Sequence, residues 1–160
     1  MAGAGGAKEL PISDLIAMTK GPADDETADL LQLPRSPRRP EVFGIRNVLR
    51  IGDTPVVVSD VQVPAQLFAG LTTRMLREQR RTLYAAFQQH FVVTIVKIRE
   101  QLKAVRADAV AAEFWNFLTE CPVLELRRIA CSFERRPVEV RRSQIDTRSN
   151  QYRFEQGDNV

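Results

Sequence analysis

Apolar and polar residues alternate along this chain in two ways, and each change from one to the other predicts an element boundary. The stretch Leu10 to Met18 reads as a short helix, and Asp24, Asp25 and Glu26 load the first turn of a second helix, where the positive end of the helix dipole favours carboxylates. Ala28, Leu31 and Leu33 supply its apolar side. Pro34, Pro37 and Pro40 then stop helix growth, because proline lacks the amide hydrogen and restricts the residue before it. From Val42 to Ile51 the chain is rich in Val, Ile and Phe, and a Gly52-Asp53 turn leads into Pro55 through Val63, which predicts a β-hairpin closed by Pro64. Ala65 to Leu71 predicts one amphipathic turn, Arg74 to Arg81 an exposed charged stretch, and Leu83, Tyr84, Phe87 and Phe91 a helix over Thr82–His90.

The second half repeats the theme. Val92 to Val105 predicts a long strand with a bend or bulge, Asp108 caps a helix carrying Val110, Ala111, Phe114 and Trp115, and Pro122 opens a strand that runs to Phe133. Glu134-Arg135-Arg136 turns the chain into a last strand, Val138 to Ile145. Ala28 through Pro55-Val56 is thus echoed by Ala112 through Pro137-Val138. Two such helix-hairpin units form one antiparallel sheet with helices on its faces and a cleft where polar strand residues converge, an α+β fold. The expected organisation is a flexible N-terminal segment with its short helix over residues 1–23, one domain over 24–155 and a tail over 156–160.

Composition narrows the class of function. A chain of 160 residues with 44% hydrophobic and 27% charged residues is long enough to bury one core and shows no bias toward disorder. No apolar run reaches the ~20 residues that cross a bilayer, and Met1 to Lys8 lacks the basic and apolar regions of a secretory signal, so a cytoplasmic location is the default. Cys121, Cys131 and the single histidine, His90, have no metal-knuckle or redox spacing, so the thiols are expected to be structural and no cofactor is indicated. The net charge of +3 is small. Neighbouring arginines such as Arg127 and Arg128, or Arg141 and Arg142, should point to opposite sheet faces, which argues against a nucleic-acid patch.

One ordered set of short motifs is more specific than any of its parts. Ala28-x-x-Leu31-x-Leu33, Val48-Leu49-Arg50-Ile51, Asp53-x-Pro55-Val56, Val63-Pro64-x-x-x-Phe68-x-Gly70-Leu71 and Thr82-Leu83-Tyr84 are followed by Ala112, Pro122-Val123-Leu124, Arg128, Arg136-Pro137-Val138-Glu139 and Gln151-Tyr152-Arg153-Phe154. In this order they resemble the UTRA domain, the effector-binding half of HutC-type GntR transcription regulators, whose fold is similar to chorismate pyruvate-lyase. The resemblance implies a sensor that binds a small polar effector such as a sugar, amino acid or carboxylate, forms a homodimer, and meets DNA only through a winged helix-turn-helix domain that this chain does not contain. It implies no enzyme activity.

The resemblance also implies a ligand cleft, and Arg50, Ser59, Asp60, Thr82, Arg128 and Glu139 are the candidate ligand-binding residues. Arg50 offers a guanidinium fork for a carboxylate or phosphate, or else pairs with Asp53. Glu139 accepts ligand hydroxyls or amines, or else pairs with Arg128 or Arg141. Val48 replaces a second arginine of the family pattern, Ser59 its usual glutamate with Asp60 alongside, and Ile145 a tyrosine, which favours a smaller or less charged effector than a phosphorylated sugar. A chorismate-lyase-like enzyme and a dimerisation module without ligand are the rival readings. No Ser–His or Cys–His pair at telling distance supports the enzyme.

Overall fold

The computed structural model describes residues 11–79, 82–115 and 121–152. Residues 1–10, 80–81, Arg153-Phe154 and the tail over 156–160, on which some sequence expectations fall, lie outside them. The chain forms β1 (Ile12–Pro22), α1 (Asp25–Leu30), β2 (Glu41–Ile51), β3 (Thr54–Pro64), α2 (Thr73–Glu78), α3 (Leu83–Phe91), β4 (Lys97–Arg106), α4 (Ala109–Trp115), β5 (Pro122–Cys131) and β6 (Pro137–Ile145). The strands make a six-stranded antiparallel sheet in the order β1-β2-β3-β6-β5-β4. Each half contributes three strands, and β3 joins β6 at the centre.

The helices divide between the two faces. Under α2 and α3 lies the main core, where Phe43, Ile45, Val61 and Val63 of the sheet meet Phe68, Leu76 and Phe87. Phe68 and Phe87 are fully buried with ring centroids 4.5 Å apart, and each such side chain contributes about 1.5–3 kcal/mol through burial. On the opposite face Val48, Val58 and Val123 pack under Trp115 of α4, while Ala28 and Leu31 cover Val42 at the other end under α1. Among the described residues no helix lies over the middle of the α1–α4 face. Asp108 caps α4 as expected, and Asp24 and Thr82, read from sequence as helix residues, are caps as well: Asp24, Thr82 and Asp108 each accept a hydrogen bond from the amide three residues on, at 2.7, 3.1 and 2.9 Å.

Three expectations are corrected. The stretch read as a helix over Leu10–Met18 is strand β1 in its described part. A β-bulge between Leu15 and Ala17 puts Leu15 and Met18, three residues apart, against the same core, so a strand carries the spacing of a helix. The charged stretch after Arg74 includes helix α2, whose Leu76 is buried. The second-half strand begins at Lys97 and not at Val92, because Val92 is the left-handed cap of α3 (φ 56°).

Candidate functional site

On the α2–α3 face the sheet carries a buried polar cluster next to the apolar core. The register aligns Val61, Arg141, Arg128 and Glu100 across β3, β6, β5 and β4 in one row, with Glu139 two residues along β6. Glu139 is completely buried. Arg141 grips it with two hydrogen bonds, Nε to Oε1 at 3.0 Å and Nη2 to Oε2 at 3.1 Å, and the Tyr84 hydroxyl of α3 donates to Oε1 at 3.2 Å. Arg128 donates to that hydroxyl at 3.3 Å and to Glu100 at 2.7 Å, and Tyr152 donates to the other Glu100 oxygen at 2.6 Å. The Arg141 guanidinium also stacks 5.5 Å from the Tyr84 ring centroid, a cation–π contact.

The electrostatics follow from this geometry. Burial, and then the Glu139 carboxylate, push the Tyr84 hydroxyl above its ordinary pKa, so it stays a donor at neutral pH. For Glu100 burial works against ionisation, but the bonds from Tyr152 and Arg128 outweigh it and hold the carboxyl below its usual range. Beside this cluster Asn47, Ser59 and Ser143 pair across β2, β3 and β6. The two serine hydroxyls are 2.7 Å apart and buried, and Asn47 Oδ1 is buried with no partner among the described residues.

The opposite face holds a trench of about 1120 Å³ between α1 and the middle of the sheet. One row across it consists of Arg46, Asp60, Arg142, Arg127 and Gln101. Arg46 grips Asp60 at 2.7 and 3.1 Å, while Arg142 and Arg127 share the buried Glu125 at 2.7 and 2.9 Å. Arg142 also reaches Asp108 at 2.9 Å, and Arg127 reaches Glu26 of α1 at 3.1 Å.

The six sequence candidates therefore separate. Glu139 and Arg128 meet through Tyr84, Ser59 lies on the same face against Ser143, and Thr82 caps the helix that carries Tyr84. Asp60 faces the trench with Arg46. Arg128 borders the trench from β5, yet its guanidinium lies on the α3 side. Arg50 pairs with Asp14 of β1 at 3.1 Å, outside both constellations, in place of the Asp53 partner considered from sequence. The expectation that neighbouring arginines split holds, since Arg127 and Arg142 bind Glu125 in the trench while Arg128 and Arg141 reach Tyr84 and Glu139. Sequence reasoning missed Tyr84, which its apolar spacing assigned to the core, and Glu100, whose partners come from β5 and the segment after β6. Among the described residues no cluster of His, Cys, Asp and Glu could hold a metal ion, and the cysteines are free.

Comparison with known proteins decides the family. The model of the UTRA domain matches residues 7–151. The chain belongs to the UTRA domain family. Among solved structures, this UTRA domain is similar to the ligand-binding domain of a protein assigned to the GntR-family transcriptional regulators of Bordetella bronchiseptica, with 30% identity, a TM-score of 0.87, and 95% of this chain and 92% of that one covered. YydK of Bacillus subtilis subsp. subtilis str. 168, a possible transcriptional regulator, shares the fold at 11% identity and a TM-score of 0.81. The alignment covers 93% of this chain and 63% of YydK. The effector domain of PhnF from Mycobacterium smegmatis shares the fold at 21% identity, with a TM-score of 0.72 and 86% and 81% of the two chains covered. No curated protein matches the chain.

Proposed function

We propose that this UTRA domain is the effector-sensing part of a GntR regulator of the HutC subgroup, and that the effector binds on the α2–α3 face against Glu139, Tyr84, Arg128 and Arg141. The observation that carries this reading is the full burial of Glu139 beneath α3. A buried ion pair is weak as a source of stability, because desolvation offsets most of the attraction, and an apolar pair of the same volume would serve a core as well. Its presence beside buried serines and an Asn47 oxygen with no partner among the described residues suits a site where a small polar metabolite exchanges hydrogen bonds with the cluster. A sugar, an amino acid or a small carboxylate has the hydroxyls, amines or oxygens to do so.

In this proposal α3 is the element that responds, since Tyr84 ties it to the sheet through the groups the effector would engage. The homodimer would form along β4, an edge strand exposed on nearly its whole length with Ile98 and Leu102 uncovered and Val92, Val96 and Phe133 exposed near its start. DNA would be read by a separate winged helix-turn-helix domain, in the cytoplasm. The test is a thermal-shift screen of sugars, amino acids and carboxylates on the wild-type chain and on Tyr84→Phe, with each hit incubated and checked for turnover. A ligand that binds the folded state raises Tm. A shift in wild type that shrinks in Tyr84→Phe without product formation is expected. Conversion of the compound would instead establish an enzyme, and a shift of equal size in both proteins would move the effector away from Tyr84.

A further inference from the structure

The trench on the α1–α4 face holds a feature that the proposed effector site does not use. Arg142 and Arg127 stand directly opposite one another on β6 and β5, a like-charged cross-strand pair that destabilises a sheet unless counter-charge is supplied. Glu125 supplies part of it, taking Nε of each arginine, while Asp108 and Glu26 each take one Nη1. The Nη2 groups of both arginines have no partner among the described residues. On the next strand Arg99 also lines the trench, exposed and with no ion pair or hydrogen bond among the described residues. Three guanidinium groups thus line the trench from three adjacent strands spaced about 4.8 Å apart, Arg142 and Arg127 in one row and Arg99 beside Ile129 in the next.

The floor beside them is low and of mixed polarity. Thr19, Gly44, Gln62, Val140 and Ile129 form the neighbouring row. Gly44 has a specific reason to lack a side chain, because a Cβ there would lie 2.8 Å from Thr19 Oγ1. Asp24 and Glu26 of α1 also border the trench, with Glu26 bonded to Arg127 at 3.1 Å. A cavity of about 1120 Å³ accepts a ligand larger than a single ion.

We propose that this trench is a second ligand site, separate from the Glu139 cluster, and that it takes a compact polyanion on an organic body, either a phosphate ester or a polycarboxylate. The anionic group meets the Nη2 donors of Arg142 and Arg127 together with Arg99, in charge-assisted bonds for which guanidinium geometry is suited. The body lies over Gly44 and Val140, with its hydroxyls toward Asp24 and Glu26. The backbone of the sheet separates the two sites, so they can fill independently.

The experiment is isothermal titration of the full 160-residue chain with inorganic phosphate and, separately, with citrate, each against sodium chloride of matched ionic strength. Saturable binding of phosphate alone points to an ester, and binding of citrate alone or of both points to a polycarboxylate or a general polyanion site. Each of these supports the site provided the variants agree. Arg99→Gln, which disturbs no pair among the described residues, should weaken binding about tenfold, the loss expected for one charge-assisted bond. Arg127→Lys keeps the charge toward Glu125 and Glu26 and should weaken it comparably by removing the fork. Arg74→Gln, an equal charge loss on exposed α2, should leave it unchanged. Binding that falls equally in Arg74→Gln and Arg99→Gln would reduce the effect to net charge and overturn the proposal. So would the absence of saturable binding by either anion, which would leave the trench as ion-pair packing or as a surface for a second copy of the chain.

Discussion

The two faces of this sheet hold their charges in opposite circumstances. On the α2–α3 face, Glu139 is sealed from water beneath Tyr84 and bound twice by Arg141, whose side chain is 17% exposed. On the α1–α4 face, Arg46 and Asp60 make an equally good two-bond pair with side chains 35% and 40% exposed. Water screens the second pair and does not reach the carboxylate of the first. Geometry of the pair is therefore a poor guide to its importance, and depth decides it. On the open face water solvates the charges and holding them costs little, whereas on the closed face they depend on one another and on α3.

The largest expected effect breaks that comparison at its buried end. Glu139→Ala should destabilise by about 3 kcal/mol, since it leaves Arg141 without its buried partner and removes the Tyr84 acceptor. Chemical denaturation of the two proteins at pH 7 measures it. A cost below about 1 kcal/mol would mean that Arg141 finds water as readily as the trench arginines do. This reverses what β-strand alternation suggests by itself, namely that a polar residue between Val138 and Val140 faces an open cleft where truncation is mild. Asp60→Ala, in the screened pair, should cost under about 1 kcal/mol in the same measurement.

Acid should weaken the trench side through identifiable groups. Glu125 and Asp108 start from ordinary values of 4.5 and 3.8. In each, burial raises the pKa but is outweighed, in Glu125 by Arg127 and Arg142, and in Asp108 by the Ala111 amide and Arg142, so both end below those values. A carboxyl depressed in the folded state contributes stability that is complete above its unfolded pKa and is lost as pH falls through the folded one. The urea midpoint should therefore hold between pH 7 and 5 and drop below about pH 4. Arg142→Gln, which touches both carboxyls, should make that drop shallower, and an unchanged slope would assign acid sensitivity elsewhere.

A smaller effect lies at the end of α3. Val92 adopts a left-handed conformation at φ 56° with its side chain exposed, a position where glycine escapes the clash of a branched Cβ. Val92→Gly should raise stability by about 0.5 kcal/mol, net of the extra freedom glycine gives the unfolded chain. A lower Tm would show that the exposed valine is covered, for instance by a second copy along β4.

Much of the fold was legible because local chemistry and tertiary structure agree at its turns and caps. The β2–β3 hairpin around Gly52, the caps at Thr82 and Asp108 and the strands from Pro122 and Pro137 depend on residues within a few positions of one another. Strand β1 was not legible, because its bulge replaces a spacing of two with one of three and the sequence then imitates a helix. The internal repeat held the missing signal: the second half begins with strand β4, so its counterpart in the first half should have been a strand as well.

For the site, the sequence by itself determined which residue types were present and, through alternation, that each arginine pair would divide between the faces. It also offered Arg128 or Arg141 as a partner for Glu139, of which the structure has Arg141. Only the tertiary structure decided which face was closed, because that depends on α3 crossing from one half of the sheet to cover strands of the other. Tyr84 and Glu139 are 55 residues apart, and Tyr152 and Glu100 are 52 apart. No periodicity within either segment encodes such a meeting, since hydrogen bonds between distant segments form only after hydrophobic packing has set the helix on the sheet.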